Sequence, residues 1–518
     1  MKKKIAAVLT LALVLSACNK SEVLETNVTE TTNETDPTTI EETTVESTSV
    51  FETQETYDSD VREGSFGERL LELKNVTRVE ELDLDYDGKS DEEEIYMIYW
   101  EMPLDHDDPD KGRFEVRMAV RYTGDGNPNV FSCGGYEIDD GVYEWGPSSL
   151  LMNDYDINFF ESEFRFYGQS RPEGYEASKI EFLEYLTDEN AAGDFYEMVT
   201  ELKTITAGSW TMTGSSKGGM LTVYQEYLYP DTADLYIAEV APIDIADGTL
   251  GFYEFLSNEI GDLKFGKEQA EEYREMILAL QVEAVRCRDR LQEEFWEQGI
   301  ADGYMYTTKQ TKELLYDTAV AGLGVIFWQY NDDEITEEFC EVYDAIGTDG
   351  FEDKLFDLML KYSGPSFYYS NDEFVIQCCI EDGYNSYDIS YLREALASEG
   401  LADRFYITED MEKDFYTYQV DDEILTGFPY NDDHRKAMLA AIDNGTKPLI
   451  LINGNSDVWA PFEVTETDNP NTYIFNVAEG NHLTSYEDLD ETMREEFNDI
   501  LEEYGGLTPR PTEIYVRE

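Results

Sequence analysis

Positive charge is scarce in this chain: 37 Lys and Arg face 114 Asp and Glu over 518 residues, a formal net charge of -77. Binding to a phosphate backbone needs a basic surface, so nucleic acid is excluded as a partner. Acidity of this degree favours solubility, repels anionic surfaces and attracts cationic peptides, without specifying a fold. Long apolar runs are missing too. Beyond Ile5 to Leu15 no stretch is long and apolar enough to cross a bilayer. Cysteine is sparse: after Cys18 there remain Cys133, Cys287, Cys340, Cys378 and Cys379, an odd set with no pair at metal-ligand spacing. At least one thiol is therefore free. Histidine is rarest, with only His106, His434 and His482, so a catalytic imidazole can be sought by elimination.

The N-terminus reads as an export signal. Met1-Lys2-Lys3-Lys4 is a charged start, Ile5 to Leu15 an apolar core too short to span, and Leu15-Ser16-Ala17-Cys18 resembles a bacterial lipobox. Residues 1–18 are thus a lipoprotein signal, and Cys18 is the expected lipidation site anchoring the chain to the outer face of the cell membrane. A plain secretory signal, the alternative, also leaves the protein outside the cytoplasm. Residues 19–65 are Thr/Glu-rich with few large apolar side chains, too few to offset chain entropy, and read as a flexible linker.

The chemistry centres on Gly214-Ser215-Ser216-Lys217-Gly218, a G-x-S-x-G pattern between the strand-like run Ser209 to Thr213 and a helical pattern carried by Met220, Val223, Tyr224 and Tyr227. A serine on such a sharp turn presents its hydroxyl above the sheet, while the glycines let strand and helix approach. Ser216 is the candidate nucleophile, and it needs a base and an orienting carboxylate. His106 sits in a polar turn and His434 in the first turn of a capped helix, both ordinary places. His482 ends the β-rich run Thr472 to Val477 at Gly480-Asn481-His482, and Asp457 follows the apolar strand pattern Pro448 to Gly454. The order Ser216, Asp457, His482, each at a strand end, is that of α/β-hydrolases.

Further segments resemble the serine peptidases of family S37, the PS-10 type, whose studied members are secreted bacterial prolyl tri- and tetrapeptidyl aminopeptidases. They are Pro103-Leu104-Asp105-His106 with Gly112 to Arg117, Phe164-Arg165-Phe166-Tyr167-Gly168-Gln169-Ser170-Arg171-Pro172, Ser216 to Met220 with Tyr229-Pro230-Asp231, Phe327 to Tyr330, and Gln377 with Gly383-Tyr384. The resemblance spans residues 90 to 490, with Ser215 and Phe164 departing from the family pattern. It implies an α/β-hydrolase core, residues 66–246 and 441–508, interrupted by a mainly helical cap over 247–440, with a tail at 509–518. Glu268 to Gln298, dense in Glu, Arg, Leu and Ala, is the clearest helical stretch of that cap.

The roles follow from the triad chemistry and from this likeness. The oxyanion needs backbone donors, typically worth on the order of 3 kcal/mol each. The Lys217 N-H is one, and Gly135 or Tyr136 in the loop Phe131 to Tyr136 supplies the other. An aromatic pocket for proline would draw on Phe327, Trp328 and the run Phe367 to Tyr369, and Glu163 is the first choice of carboxylate for a substrate ammonium. Catalysis of this kind requires no cofactor. A structural calcium is suggested by Asp83, Asp85, Asp87 and Glu94, which match the EF-hand loop pattern; an acidic hairpin with an Asp-Gly turn reads the same residues. The expectation is an extracytoplasmic serine exopeptidase acting on peptides from free N-termini, after proline. An esterase on the same scaffold and a non-catalytic peptide-binding lipoprotein are the alternatives, and oligomeric state is left open.

Overall fold

The computed structural model describes residues 62–84, 93–175, 180–246, 259–301, 311–364, 372–383, 389–413 and 420–510. Cys18 and the segment 1–61, Asp85 and Asp87 of the candidate calcium loop, the aromatic run 367–369 and the end of the tail at 511–518 lie outside the described residues.

Among the described residues nine strands form one sheet: β1 (Val76–Glu81), β2 (Glu94–Pro103), β3 (Arg113–Tyr122), β4 (Asn129–Ser132), β5 (Asn158–Ser162), β6 (Trp210–Ser215), β7 (Leu235–Glu239), β8 (Leu449–Gly454) and β9 (Thr472–Val477). Their order is β1-β2-β3-β5-β4-β6-β7-β8-β9. The pairs β1/β2, β2/β3 and β3/β5 are antiparallel, and every pair from β5/β4 through β8/β9 is parallel. The central strands are apolar because helices cover both faces of a parallel sheet. All six residues of β8, Leu-Ile-Leu-Ile-Asn-Gly, are buried. The parallel half, with a nucleophile turn after β6 and loops after β8 and β9 on the same edge, is the α/β-hydrolase arrangement expected from the sequence.

The principal helices are α1 (Asp188–Leu202), α2 (Lys217–Leu228), α3 (Lys267–Arg286), α4 (Arg288–Ala301), α5 (Lys312–Tyr330), α6 (Asp333–Asp344), α7 (Phe351–Ser363), α8 (Asp433–Asn444) and α9 (Glu491–Ile500). The helical stretch read as Glu268 to Gln298 is two helices, α3 and α4, broken at Cys287. Helices α3 to α7 lie in the segment between β7 and β8 and pack around α5, their apolar residues continuous with the main core. Helix α8, in the same segment, packs against α2 beneath the sheet, with Glu226 accepting from the amides of Thr446 and Lys447. The boundary drawn at residue 440 therefore falls inside a helix of the core. Among the described residues no helix is long and apolar enough to cross a membrane, and Cys133, Cys287, Cys340 and Cys378 are free thiols.

Two buried ion pairs fix the loops around the sheet's functional edge. Arg165 donates to both oxygens of Asp194, at 2.9 and 2.7 Å, and to the carbonyls of Pro103, Leu104 and Tyr185. Asp194 also holds His106 Nε2 at 2.7 Å. Burial opposes the charged imidazole, but the hydrogen bonds to Asp194 and Glu197 outweigh it and raise the His106 pKa to about 9. The segments Pro103 to His106 and Phe164 to Pro172 are thus conjoined by charge-assisted bonds.

Candidate active site

The G-x-S-x-G turn is as sharp as its sequence demands. Ser216 has φ 54° and ψ -121°, between the end of β6 and the first residue of α2. A non-glycine residue held there stores roughly 1–3 kcal/mol of strain, which the surroundings must hold in place. They do so by contact: a Cβ on Gly214 would lie 2.2 Å from the Gly218 carbonyl oxygen, and one on Gly218 would lie 2.5 Å from that of Cys133. Only glycine permits this approach.

Three loops meet above the turn. His482 Nε2 lies 2.9 Å from Ser216 Oγ, and His482 Nδ1 lies 2.6 Å from Asp457 Oδ2. Asp457 is fully buried, and its other oxygen accepts from the Trp459 amide at 3.1 Å. The histidine loop is clamped from the helical segment: the His482 amide donates to the Gln329 carbonyl at 3.1 Å, and Asn481 Nδ2 to the Tyr330 carbonyl at 2.9 Å. With Asp457 accepting at Nδ1, the imidazole presents Nε2 as an acceptor to the serine hydroxyl, the tautomer needed for a general base. Glu463 stands behind Asp457, bonded to the Gly454 amide at 3.4 Å; burial first, and then the charge of Asp457, push its pKa well above the usual carboxylate range.

The predicted oxyanion donors also converge. Gly135 packs on the start of α2, where a Cβ would approach Gly218 N at 3.0 Å and Lys217 Cβ at 3.1 Å. Among the described residues no acceptor takes the amide N-H of Lys217, Gly135 or Tyr136. The Lys217 side chain turns inward, donating to Gln377 Oε1 at 2.6 Å and lying 4.2 Å from the centre of the Phe164 ring.

Two substrate-site expectations are corrected. Glu163 is fully buried: Arg117 lies 2.7 Å from its Oε1, where the Ile138 amide also donates, and Oε2 accepts from Arg117 Nε, the Gln169 and Ser170 amides and the Ser170 hydroxyl. No lone pair is left to face an incoming ammonium. Phe327 and Trp328 are 0% and 2% exposed, packed with Tyr273, Phe339 and Phe265 in the interior around α5. They are core, and what that stretch brings to the site is the backbone carbonyls of Gln329 and Tyr330. Of the candidate calcium ligands, Glu94 already accepts from the Phe66 amide at 2.7 Å and from the Tyr96 hydroxyl. Sequence reasoning passed over Asn481 as a clamp and the Lys217 side chain as a link to Gln377; nothing in local spacing signals either.

The chain is similar to several known proteins. The profile of PS-10 peptidase S37 matches residues 63–369. A prolyl tri/tetrapeptidyl aminopeptidase of Streptomyces mobaraensis is 23% identical over 477 residues, 88% of this chain and 88% of that protein. The lysosomal Pro-X carboxypeptidase of Mus musculus is 32% identical over 187 residues, 32% of this chain and 36% of its own length. Among solved structures, a peroxisomal α/β-hydrolase of Saccharomyces cerevisiae aligns over 80% of this chain and 89% of its own, at 11% identity and a TM-score of 0.34. At that score the fold assignment rests on strand order and the serine turn instead.

Proposed function

The chain belongs to the PS-10 peptidase S37 family and is a serine peptidase, and on that premise we propose that Ser216, Asp457 and His482 are its catalytic triad, used to release short peptides from free N-termini. The observation that carries the reading is the continuous pair of contacts, 2.9 Å from Ser216 Oγ to His482 Nε2 and 2.6 Å from His482 Nδ1 to Asp457 Oδ2. His482 takes the serine proton as Oγ attacks the carbonyl carbon, and Asp457 stabilises the resulting imidazolium. The amides of Lys217 and of Gly135 or Tyr136 receive the oxyanion. His482 then protonates the leaving amine, and water, deprotonated by the same imidazole, hydrolyses the acyl-enzyme to free Ser216. Every proton in this sequence is carried by the chain or by water.

Cleavage after proline, with tri- or tetrapeptide products, is the finer proposal. It is supported by the named activity of the Streptomyces relative and by a helical segment whose α5 end clamps the histidine loop beside Ser216. The signal-like start and Cys18 support a place outside the cytoplasm, anchored by lipid. A panel of proline-containing peptides with free and blocked N-termini, incubated with wild type and with Ser216→Ala and read by mass spectrometry, tests the whole reading. Short N-terminal fragments should come from wild type alone, and only from free amines. Cleavage of blocked peptides would refute the amine requirement, and intact peptides throughout would redirect attention to ester substrates.

A further inference from the structure

The Lys217 side chain leads from the serine turn to a second cluster of polar groups. Asp188 in the first turn of α1, Asp382 in the turn Cys378–Asp382 and His434 in the first turn of α8 each bring a ligand atom within 4.8 Å of the others. His434 Nε2 lies 3.2 Å from Asp188 Oδ2, and His434 Nδ1 lies 3.7 Å from Asp382 Oδ1. The three residues are 0%, 4% and 3% exposed. Yet both ring nitrogens, both Asp382 oxygens and Asp188 Oδ2 face one another without a well-formed hydrogen bond. Buried polar atoms of native proteins nearly always have one, so five orphans at one point call for an explanation.

Charge makes the same demand. Among the described residues, Asp188, Asp382 and the neighbouring Glu381, whose Oε2 accepts from the Asp188 amide at 3.0 Å, face one cation, Lys217, whose Nζ lies 3.9 Å from Asp382 Oδ2. Burying these carboxyls beside one ammonium is costly unless they are paired, neutralised or bound to a metal. An imidazole with two carboxylates is a donor set of a zinc-type dication, which would take one ring nitrogen of His434 together with oxygens of Asp188 and Asp382. We propose that Asp188, Asp382 and His434 bind a divalent zinc-type ion, with the second oxygen of Asp382 as a further donor. The ion joins α1, the Cys378–Asp382 turn and α8. It also steadies Gln377, which donates to Asp188 Oδ1 at 3.3 Å while its own oxygen holds Lys217, the residue beside the nucleophile.

The full chain, stripped with a chelator and titrated with Zn²⁺ in excess Mg²⁺ to mask surface carboxylates, tests this by calorimetry and thermal unfolding. Wild type should take up one tightly held Zn²⁺ per chain, with Tm rising by several degrees at saturating metal. His434→Ala and Asp382→Asn, with folding verified by circular dichroism, should lose both effects. Absence of uptake and Tm shift in wild type overturns the proposal, as does undiminished zinc binding by the folded variants. Should neither variant fold, Co²⁺-loaded wild type decides. The intense visible absorption of a four-coordinate site supports the assignment, and the weak spectrum of an octahedral surface complex refutes it.

Discussion

Replacing Glu163 by Gln distinguishes a buried structural anchor from a substrate-binding carboxylate. The two oxygens of Glu163 are met only by donors: the Arg117 guanidinium and Ile138 amide on Oε1, and Arg117 Nε, the Gln169 and Ser170 amides and the Ser170 hydroxyl on Oε2. Whichever way the new amide is oriented, its NH₂ group faces other donors. The Arg117 cation, 3% exposed, is left without a countercharge. Breaking a buried pair from one side costs about 3–5 kcal/mol. Unfolding entropy near 2.1 cal/mol/K per residue over the roughly 400 described residues gives about 1.2 °C per kcal/mol, so Tm should fall by ~4–6 °C. Circular dichroism melts of wild type and variant, with peptide kinetics beside them, make the comparison. The reasoning is refuted if Tm is unchanged while KM for free-amine peptides rises and that for blocked peptides does not, the signature of an ammonium-binding group.

The remaining predictions concern the triad and pH. Asp457→Asn presents an amide N-H to His482 Nδ1 and so fixes the proton on Nε2, facing Ser216; kcat on a cleaved peptide should fall by about 10⁴ with the fold retained. A variant within tenfold of wild type would exclude Asp457 from the triad. His106, lifted from 6.5 to about 9 by Asp194 and Glu197 against the pull of burial, contributes stability that is complete below pH 6.5 and is lost as pH rises to about 9. The loss is up to about 3 kcal/mol. His106→Gln should flatten urea-unfolding stability across that window, and an unchanged pH slope would show that the ion pair does not set it.

Much of the site was legible in the residues because its rules are local. Glycines flanking Ser216 declare a turn that only glycines permit, and apolar runs ending in Asn455-Ser456-Asp457 and Gly480-Asn481-His482 declare parallel strands with their loops. Those strands emerged at Leu449–Gly454 and Thr472–Val477, close to where their patterns put them. The order of the three residues along the chain then places them at one edge of the sheet, since parallel strands deliver all their C-terminal ends to the same side.

What the tertiary structure alone decided is partnership and depth. A glutamate among 114 acidic residues carries no mark of burial, and only the approach of Arg117, 46 positions away, turns Glu163 from a candidate ligand into an anchor. Phe327 and Trp328 look alike as pocket wall or helix core until the neighbouring helices close over them. Asp188, Asp382 and His434 are unremarkable in their own segments and become a cluster only when α1, α8 and the turn before Gly383 meet. The physical reason is common to all: conformational preference is set by neighbours in sequence, whereas desolvation and charge pairing are set by neighbours in space.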